Sequence, residues 1–158
     1  MPAKSTFMFP GQGSESQQVG MLAELAAAFP LIKETFSESS DVLGYDMWQL
    51  VQTGPQQKLQ QTQYTQPVLL TASVALWRLW QSQGGYQPDY MAGHSLGEYS
   101  ALVASGAMAF EDAVRVANAR GRFMQEAVTE GSGAMAAVLG CSAEAVADLC
   151  CEVAASTG

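Results

Sequence analysis

Tyr90-Met91-Ala92-Gly93-His94-Ser95-Leu96-Gly97-Glu98-Tyr99 is the stretch on which the fold turns. Inside it, Gly93-x-Ser95-x-Gly97 has the spacing of a nucleophile elbow, a sharp turn that carries a serine between a strand and a helix. That pattern requires a strand before it and a helix after it. Tyr90-Met91-Ala92 is a short apolar run, and Leu96 to Ala104 reads as a mostly apolar helix closed by Ser105-Gly106. Glycine on either side leaves room where a strained chain passes close to itself. A serine held there stands at a helix N-terminus, where the macrodipole and free N–H groups favour the negative charge that develops in acyl transfer. The same spacing also suits a glycine-flanked turn whose serine only caps a helix.

Upstream, Thr6-Phe7-Met8-Phe9 is β-prone and opens into Pro10-Gly11-Gln12-Gly13-Ser14. A buried strand followed by a glycine-rich loop suits the carboxyl edge of a parallel sheet. The loop matches neither the dinucleotide nor the Walker A spacing. Gln12 either fills the turn or presents a group to a site. Val19–Ala28 and Pro30–Ser39 read as helices, Met47–Val51 as a further short turn, and the glutamine-rich residues 52–66 as a solvated helix or loop. Thr65-Gln66-Pro67 caps and starts a helix through Gln83 that is apolar nearly all round, so it should be buried, its Trp77 and Trp80 included. Phe110 opens a helix to about Val128 that bears Arg115, Arg120 and Arg122, which taken one at a time read as a solvated face. Beyond the linker Gly131-Ser132-Gly133, Ala134–Gly140 reads as a strand and Ser142 caps a helix through Ala155. One strand and one helix cannot bury their apolar faces alone. The expectation is an α/β core over residues 1–132 and, from Gly133, the start of a small second domain that is incomplete in this chain.

Composition sets limits. The chain has 158 residues, 48% apolar and 14% charged, enough for one domain with a core and without an apolar run long enough to span a bilayer. The first six residues lack a signal-peptide core, which places the protein in the cytoplasm. Cys141, Cys150 and Cys151 form neither a disulfide framework nor a zinc pattern and read as free thiols, and no metal site is expected. A net charge of -8 argues against nucleic acid, and it means that an anionic substrate needs a local cation. A serine nucleophile also needs a base. The one histidine, His94, adjoins Ser95 and points to the other side of the chain, so it is a poor base, and no histidine follows it.

Taken together, Phe9-Pro10-Gly11-Gln12-Gly13-Ser14, Thr65-Gln66-Pro67, Gly93-His94-Ser95-Leu96-Gly97-Glu98-Tyr99 and Arg120-Gly121-x-x-Met124 strongly resemble the malonyl-CoA:acyl-carrier-protein transacylases, above all the free-standing bacterial enzymes of fatty-acid synthesis. The resemblance runs the length of the chain and implies an α/β-hydrolase-like core with an inserted ferredoxin-like small domain, which would begin near Gly133. It implies that Ser95 takes malonyl from coenzyme A as an ester and yields it to the phosphopantetheine thiol of acyl carrier protein in a ping-pong cycle. Leu96 and Gln12 would supply the oxyanion-hole donors, Arg120 would hold the malonyl carboxylate, and Gln66 would line the pocket. No resident cofactor is implied, since coenzyme A enters as the thioester substrate. The family's catalytic histidine and a late glutamine fall beyond residue 158, so the isolated chain is expected to be inactive or nearly so. A serine esterase would share the elbow without needing an arginine, and a non-catalytic binding domain would keep the elbow alone.

Overall fold

The computed structural model describes residues 4–13, 17–127 and 138–157. The chain divides into two compact units, Met1–Val128 and Thr129–Gly158.

The first unit is helix-rich around a small parallel sheet. Strand β1 (Thr6–Phe9) is followed by helices α1 (Ala23–Ala28), α2 (Leu31–Leu43), α3 (Met47–Thr53), α4 (Gln56–Leu59) and α5 (Thr62–Ser82). Strand β2 (Tyr90–Gly93), α6 (Gly97–Ala104) and α7 (Phe110–Glu126) complete it. β1 pairs in parallel with β2, with Thr6 opposite Tyr90 and Phe9 opposite Gly93. A parallel pair cannot be closed by a tight turn, and here the helices α1 to α5 make the connection. The register sets the end of β1, and therefore the Gly11–Gly13 loop, beside the elbow that follows β2.

α5 is the centre of the unit because its surface is apolar nearly all the way round. Val68, Ala72, Ala75 and Leu79 form one stripe, packed with Ile32, Phe36, Met47, Leu50 and Leu59 from α2, α3 and α4. Leu69, Leu70 and Val74 turn to a second cluster with Leu96 and with Phe110, Ala113, Val114 and Ala117 of α7. Trp77 joins Phe9, Ala101 and Ala104 beneath the sheet. Burying such side chains is worth about 1.5–3 kcal/mol each, so one helix contributes to all three clusters at once. Inside this core the Ser39 hydroxyl meets the Thr71 hydroxyl at 2.8 Å, and Thr71 in turn donates to the Pro67 carbonyl at 2.7 Å. Burial is also the first cause, and nearby Tyr64 the second, of the raised pKa of the Tyr45 phenol.

Several boundaries differ from the sequence expectation. α1 starts at Ala23, not Val19, because Gly20 and Leu22 both take positive φ, 89° and 63°, and keep the preceding turn out of the helix. α5 starts at Thr62, so Pro67 lies inside the helix and not in its first turn. The glutamine-rich stretch is not simply solvated: Leu59, Thr65 and Gln66 are fully buried, and the Thr65 hydroxyl ties back to the Leu59 carbonyl at 2.7 Å. Trp77 is in the core as expected, but Trp80 is 38% exposed, and its Nε1 donates to the Tyr86 carbonyl at 3.0 Å.

In the second unit, α8 (Ala143–Thr157) begins with the Ser142 hydroxyl accepting from the Ala145 N–H at 3.2 Å. The strand expected over Ala134–Gly140 and the start expected at Gly133 fall mainly on residues 128–137, which lie outside the described residues. The three cysteines are free and exposed.

Candidate active site

Ser95 is the tip of the turn between β2 and α6, with φ +55°, a left-handed conformation that L-residues with a Cβ adopt at a cost of roughly 1–2 kcal/mol. The surrounding backbone holds it there. The His94 N–H donates to the Phe9 carbonyl at 3.2 Å, and the Gly97 N–H returns to the His94 carbonyl at 2.9 Å. Gly97 is a point of close approach to β1: a Cβ there would lie 2.1 Å from the Phe9 carbonyl oxygen and 2.8 Å from that of Pro10. Only a residue without a side chain lets the first turn of α6 rest on the end of β1.

The N-terminal donors of α6 are fewer than the sequence suggests. Gly97, Glu98 and Tyr99 spend their N–H groups on the carbonyls of His94, Ser95 and Leu96, at 2.9, 3.3 and 3.1 Å. The Leu96 N–H donates to no group among the described residues, and the Leu96 side chain is buried in the cluster shared with α7. Gln12 is exposed in the loop after β1, and no hydrogen bond among the described residues joins it to Ser95. Its neighbour Gly11 does reach the elbow, because a Cβ at 11 would come within 2.8 Å of the His94 carbonyl and 2.9 Å of His94 Nδ1. The imidazole of His94 thus stands against this loop.

Across the turn is Arg120. Its Nη2 donates to Ser95 Oγ at 2.9 Å, and its Nη1 donates to Gln66 Oε1 at 2.8 Å. The three arginines of α7 part company here. Arg115 pairs with Asp112 at 3.0 Å and Glu111 at 3.6 Å, and Arg122 with Glu126 at 3.7 Å, all more than half exposed. Arg120 is half-buried and turns toward the serine. Its helix can lie this close to α5 because of Gly121, where a Cβ would meet the Thr62 carbonyl oxygen at 2.6 Å. Sequence reasoning gave Met124 no role, yet its sulfur accepts from Gln66 Nε2 at 3.1 Å. The available signal was its spacing of four residues from Arg120, which puts both on one side of a helix.

Ser95, Arg120 and Gln66 are therefore brought together, Leu96 follows the serine, and Gln12 sits in the adjoining loop. The described residues hold no group of three or more histidines, cysteines, aspartates or glutamates suited to a metal, and no helix long and apolar enough to cross a membrane. A serine on a left-handed elbow between a parallel strand and a helix, with a guanidinium on its hydroxyl, defines an α/β protein of the nucleophile-elbow class. Residues 6–156 match the acyl transferase domain family, and the chain belongs to that family. It is 60% identical over 148 residues to a malonyl CoA-acyl carrier protein transacylase of Salmonella typhimurium, covering 94% of this chain and 47% of the relative. A crystal structure of an acyl carrier protein S-malonyltransferase from Vibrio cholerae is similar with a TM-score of 0.85 at 54% identity, covering 95% of this chain and 48% of that one. A type II polyketide-synthase acyl-carrier protein in complex with its malonyl-transacylase is similar with a TM-score of 0.87 at 56% identity, covering 96% of this chain and 48% of that one. The chain spans about half the length of the curated relatives it matches.

Proposed function

We propose that this chain carries the nucleophile and the carboxylate grip of a transferase that moves malonyl from coenzyme A to the phosphopantetheine thiol of acyl carrier protein, in fatty-acid biosynthesis. The observation that carries the reading is the 2.9 Å contact between Arg120 Nη2 and Ser95 Oγ. Malonyl has a free carboxylate one methylene away from its thioester carbonyl. Once that carbonyl is bonded to Oγ, the carboxylate must lie near the hydroxyl, in the region that the guanidinium commands. A guanidinium can take a carboxylate through two parallel charge-assisted hydrogen bonds, which orient it as well as bind it. It also supplies the local positive charge that an anionic substrate needs on a chain of net charge -8.

Ser95 Oγ attacks the thioester carbonyl and gives up its proton to a base, the carbonyl oxygen becomes an oxyanion, and the C–S bond breaks to release coenzyme A, whose sulfur takes a proton. The carrier thiol then gives its proton to the base and attacks the malonyl-serine ester, the C–Oγ bond breaks as the new C–S bond is completed, and Ser95 Oγ takes the proton back from the base. The Leu96 N–H faces no competing acceptor among the described residues and suits an oxyanion donor; Gln12, in the loop against the elbow, would be the second. The base comes from outside these residues, because the sole histidine, His94, is Ser95's neighbour in the chain. The isolated chain should therefore transfer malonyl poorly or not at all.

The same reading extends to architecture and partners. Residues 1–132 form part of an α/β-hydrolase-like core, and residues 133–158 open a ferredoxin-like small domain. No resident cofactor is required, and the protein works in the cytoplasm. The acyl carrier protein as partner is supported by the similar solved complex of a carrier protein with its malonyl-transacylase.

The test is covalent labelling of the full-length protein that carries this chain. After incubation with malonyl-CoA, peptide mass spectrometry should find a malonyl ester on Ser95, removed by holo acyl carrier protein, and Ser95→Ala should give none. An adduct that persists in the alanine variant would show the nucleophile to be elsewhere. Hydrolysis of the ester without transfer to the carrier would favour the esterase.

A further inference from the structure

Gln66 is fully buried in the second turn of α5, and both ends of its carboxamide are engaged by α7. Oε1 accepts from Arg120 Nη1 at 2.8 Å, and Nε2 donates to Met124 Sδ at 3.1 Å. Resting on the transferase reading, we propose that Gln66 is the positioning residue of Arg120, aiming the guanidinium at Ser95 while leaving its charge free for the substrate's carboxylate, with Met124 setting which end of the amide faces the arginine.

The chemistry of the partners leaves one arrangement. A guanidinium only donates, so it must meet the amide oxygen; a thioether only accepts, so it must meet the amide nitrogen. Reversing the amide would set donor against donor and leave the sulfur without a hydrogen. Because Arg120 and Met124 are four residues apart on one helix, the two demands act on one side chain from one side. A second feature is the neutrality of the acceptor. A glutamate at 66 could hold Nη1 equally well, but in a buried place it would cancel the charge that malonyl has to find. Glutamine orients without neutralising. It spends one of the five N–H donors of the guanidinium, and Ser95 Oγ accepts one more, which leaves others for a carboxylate. With both amide ends occupied by α7, positioning accounts for Gln66 better than direct contact with substrate.

The experiment compares kcat/KM for malonyl and acetyl thioesters in the full-length protein and in Gln66→Glu, Gln66→Met, Arg120→Ala and the Gln66→Met/Arg120→Ala double variant. Misplacing a substrate-orienting group by about 1 Å costs on the order of 100-fold, so Gln66→Met, which removes the acceptor of Arg120 Nη1, should lose roughly 10- to 100-fold on malonyl, and Gln66→Glu, which holds the guanidinium but cancels its charge, should lose on the order of 10-fold or more. Acetyl, which has no carboxylate, should change by less than about 3-fold, since nothing made only with Arg120 is lost for it. In the Arg120→Ala background, Gln66→Met should add less than about 2-fold, the non-additivity expected of residues that act as a unit. Gln66→Met carries no charge and fills a similar volume, so it keeps the test open if the glutamate does not fold. Equal losses on both thioesters, or an undiminished loss without Arg120, would reduce Gln66 to a structural residue. If Arg120→Ala itself leaves the malonyl preference intact, the transferase reading fails; if only the Gln66 variants leave it intact, the positioning inference fails alone.

Discussion

The hydroxyl of Ser95 and the guanidinium of Arg120 meet at 2.9 Å, but the regions that deliver them are built differently. The elbow is a backbone structure. Its geometry comes from carbonyls and N–H groups within a few residues of the serine, clamped on the end of β1 through Phe9 and Pro10. The seam between α5 and α7 is a side-chain structure, in which Gln66, Arg120 and Met124 are joined across 54 to 58 residues of sequence and held by the burial of the helices around them. Backbone geometry tolerates changes of neighbouring side chains but not an added Cβ at its contact points. A side-chain seam is the reverse: it keeps its fold through many substitutions and loses its aim through one.

The sharpest way to break this contrast is to load the elbow's contact point. In Gly97→Val the new Cβ would lie 2.1 Å from the Phe9 carbonyl oxygen, and overpacking of this kind should cost about 3 kcal/mol or more. Denaturant unfolding measures it, and an unchanged midpoint would mean that the elbow is not clamped on β1. A smaller effect isolates the strain at the tip. Ser95→Gly and Ser95→Ala both remove the hydroxyl, yet at φ +55° only glycine escapes the left-handed cost, so the glycine variant should be the more stable by about 1 kcal/mol. Equal stability would mean that the turn carries no strain.

The two regions were also unequally legible in the sequence. The elbow could be read because its information is local: Gly93, Ser95 and Gly97 lie within five positions, and the strand and helix on either side follow from their apolar runs. The burial of most of the helix after Pro67 could be read too, from a surface that is apolar nearly all round, but not the solvent edge that Leu76 and Trp80 keep. Its first turn could not. The proline suggested a start, whereas contacts of Thr65 and Gln66 with α4 and α7 extend the helix back to Thr62. Arg115, Arg120 and Arg122 look alike as residue types, and what separates them is placement. Arg120 follows buried Ala117 by three residues and precedes buried Gly121 by one, so it lies at the margin of the apolar stripe, while Arg115 and Arg122 have acidic partners within one turn. The role of Gln66 depends on which atoms face its amide, and no periodicity carries that.

On the proposed function, Arg120 of α7, and not Arg115 or Arg122, selects a carboxylate-bearing acyl group for Ser95. The most direct measurement is the ratio of malonyl to acetyl transfer by the full-length protein, compared between Arg120→Ala and Arg115→Ala. Arg120→Ala should erase most of the malonyl preference. Arg115, tied to exposed carboxylates on its own helix, should leave the ratio unchanged when replaced, with stability altered by no more than about 0.5 kcal/mol. A malonyl preference that survives Arg120→Ala, or that falls equally in both variants, would contradict the account.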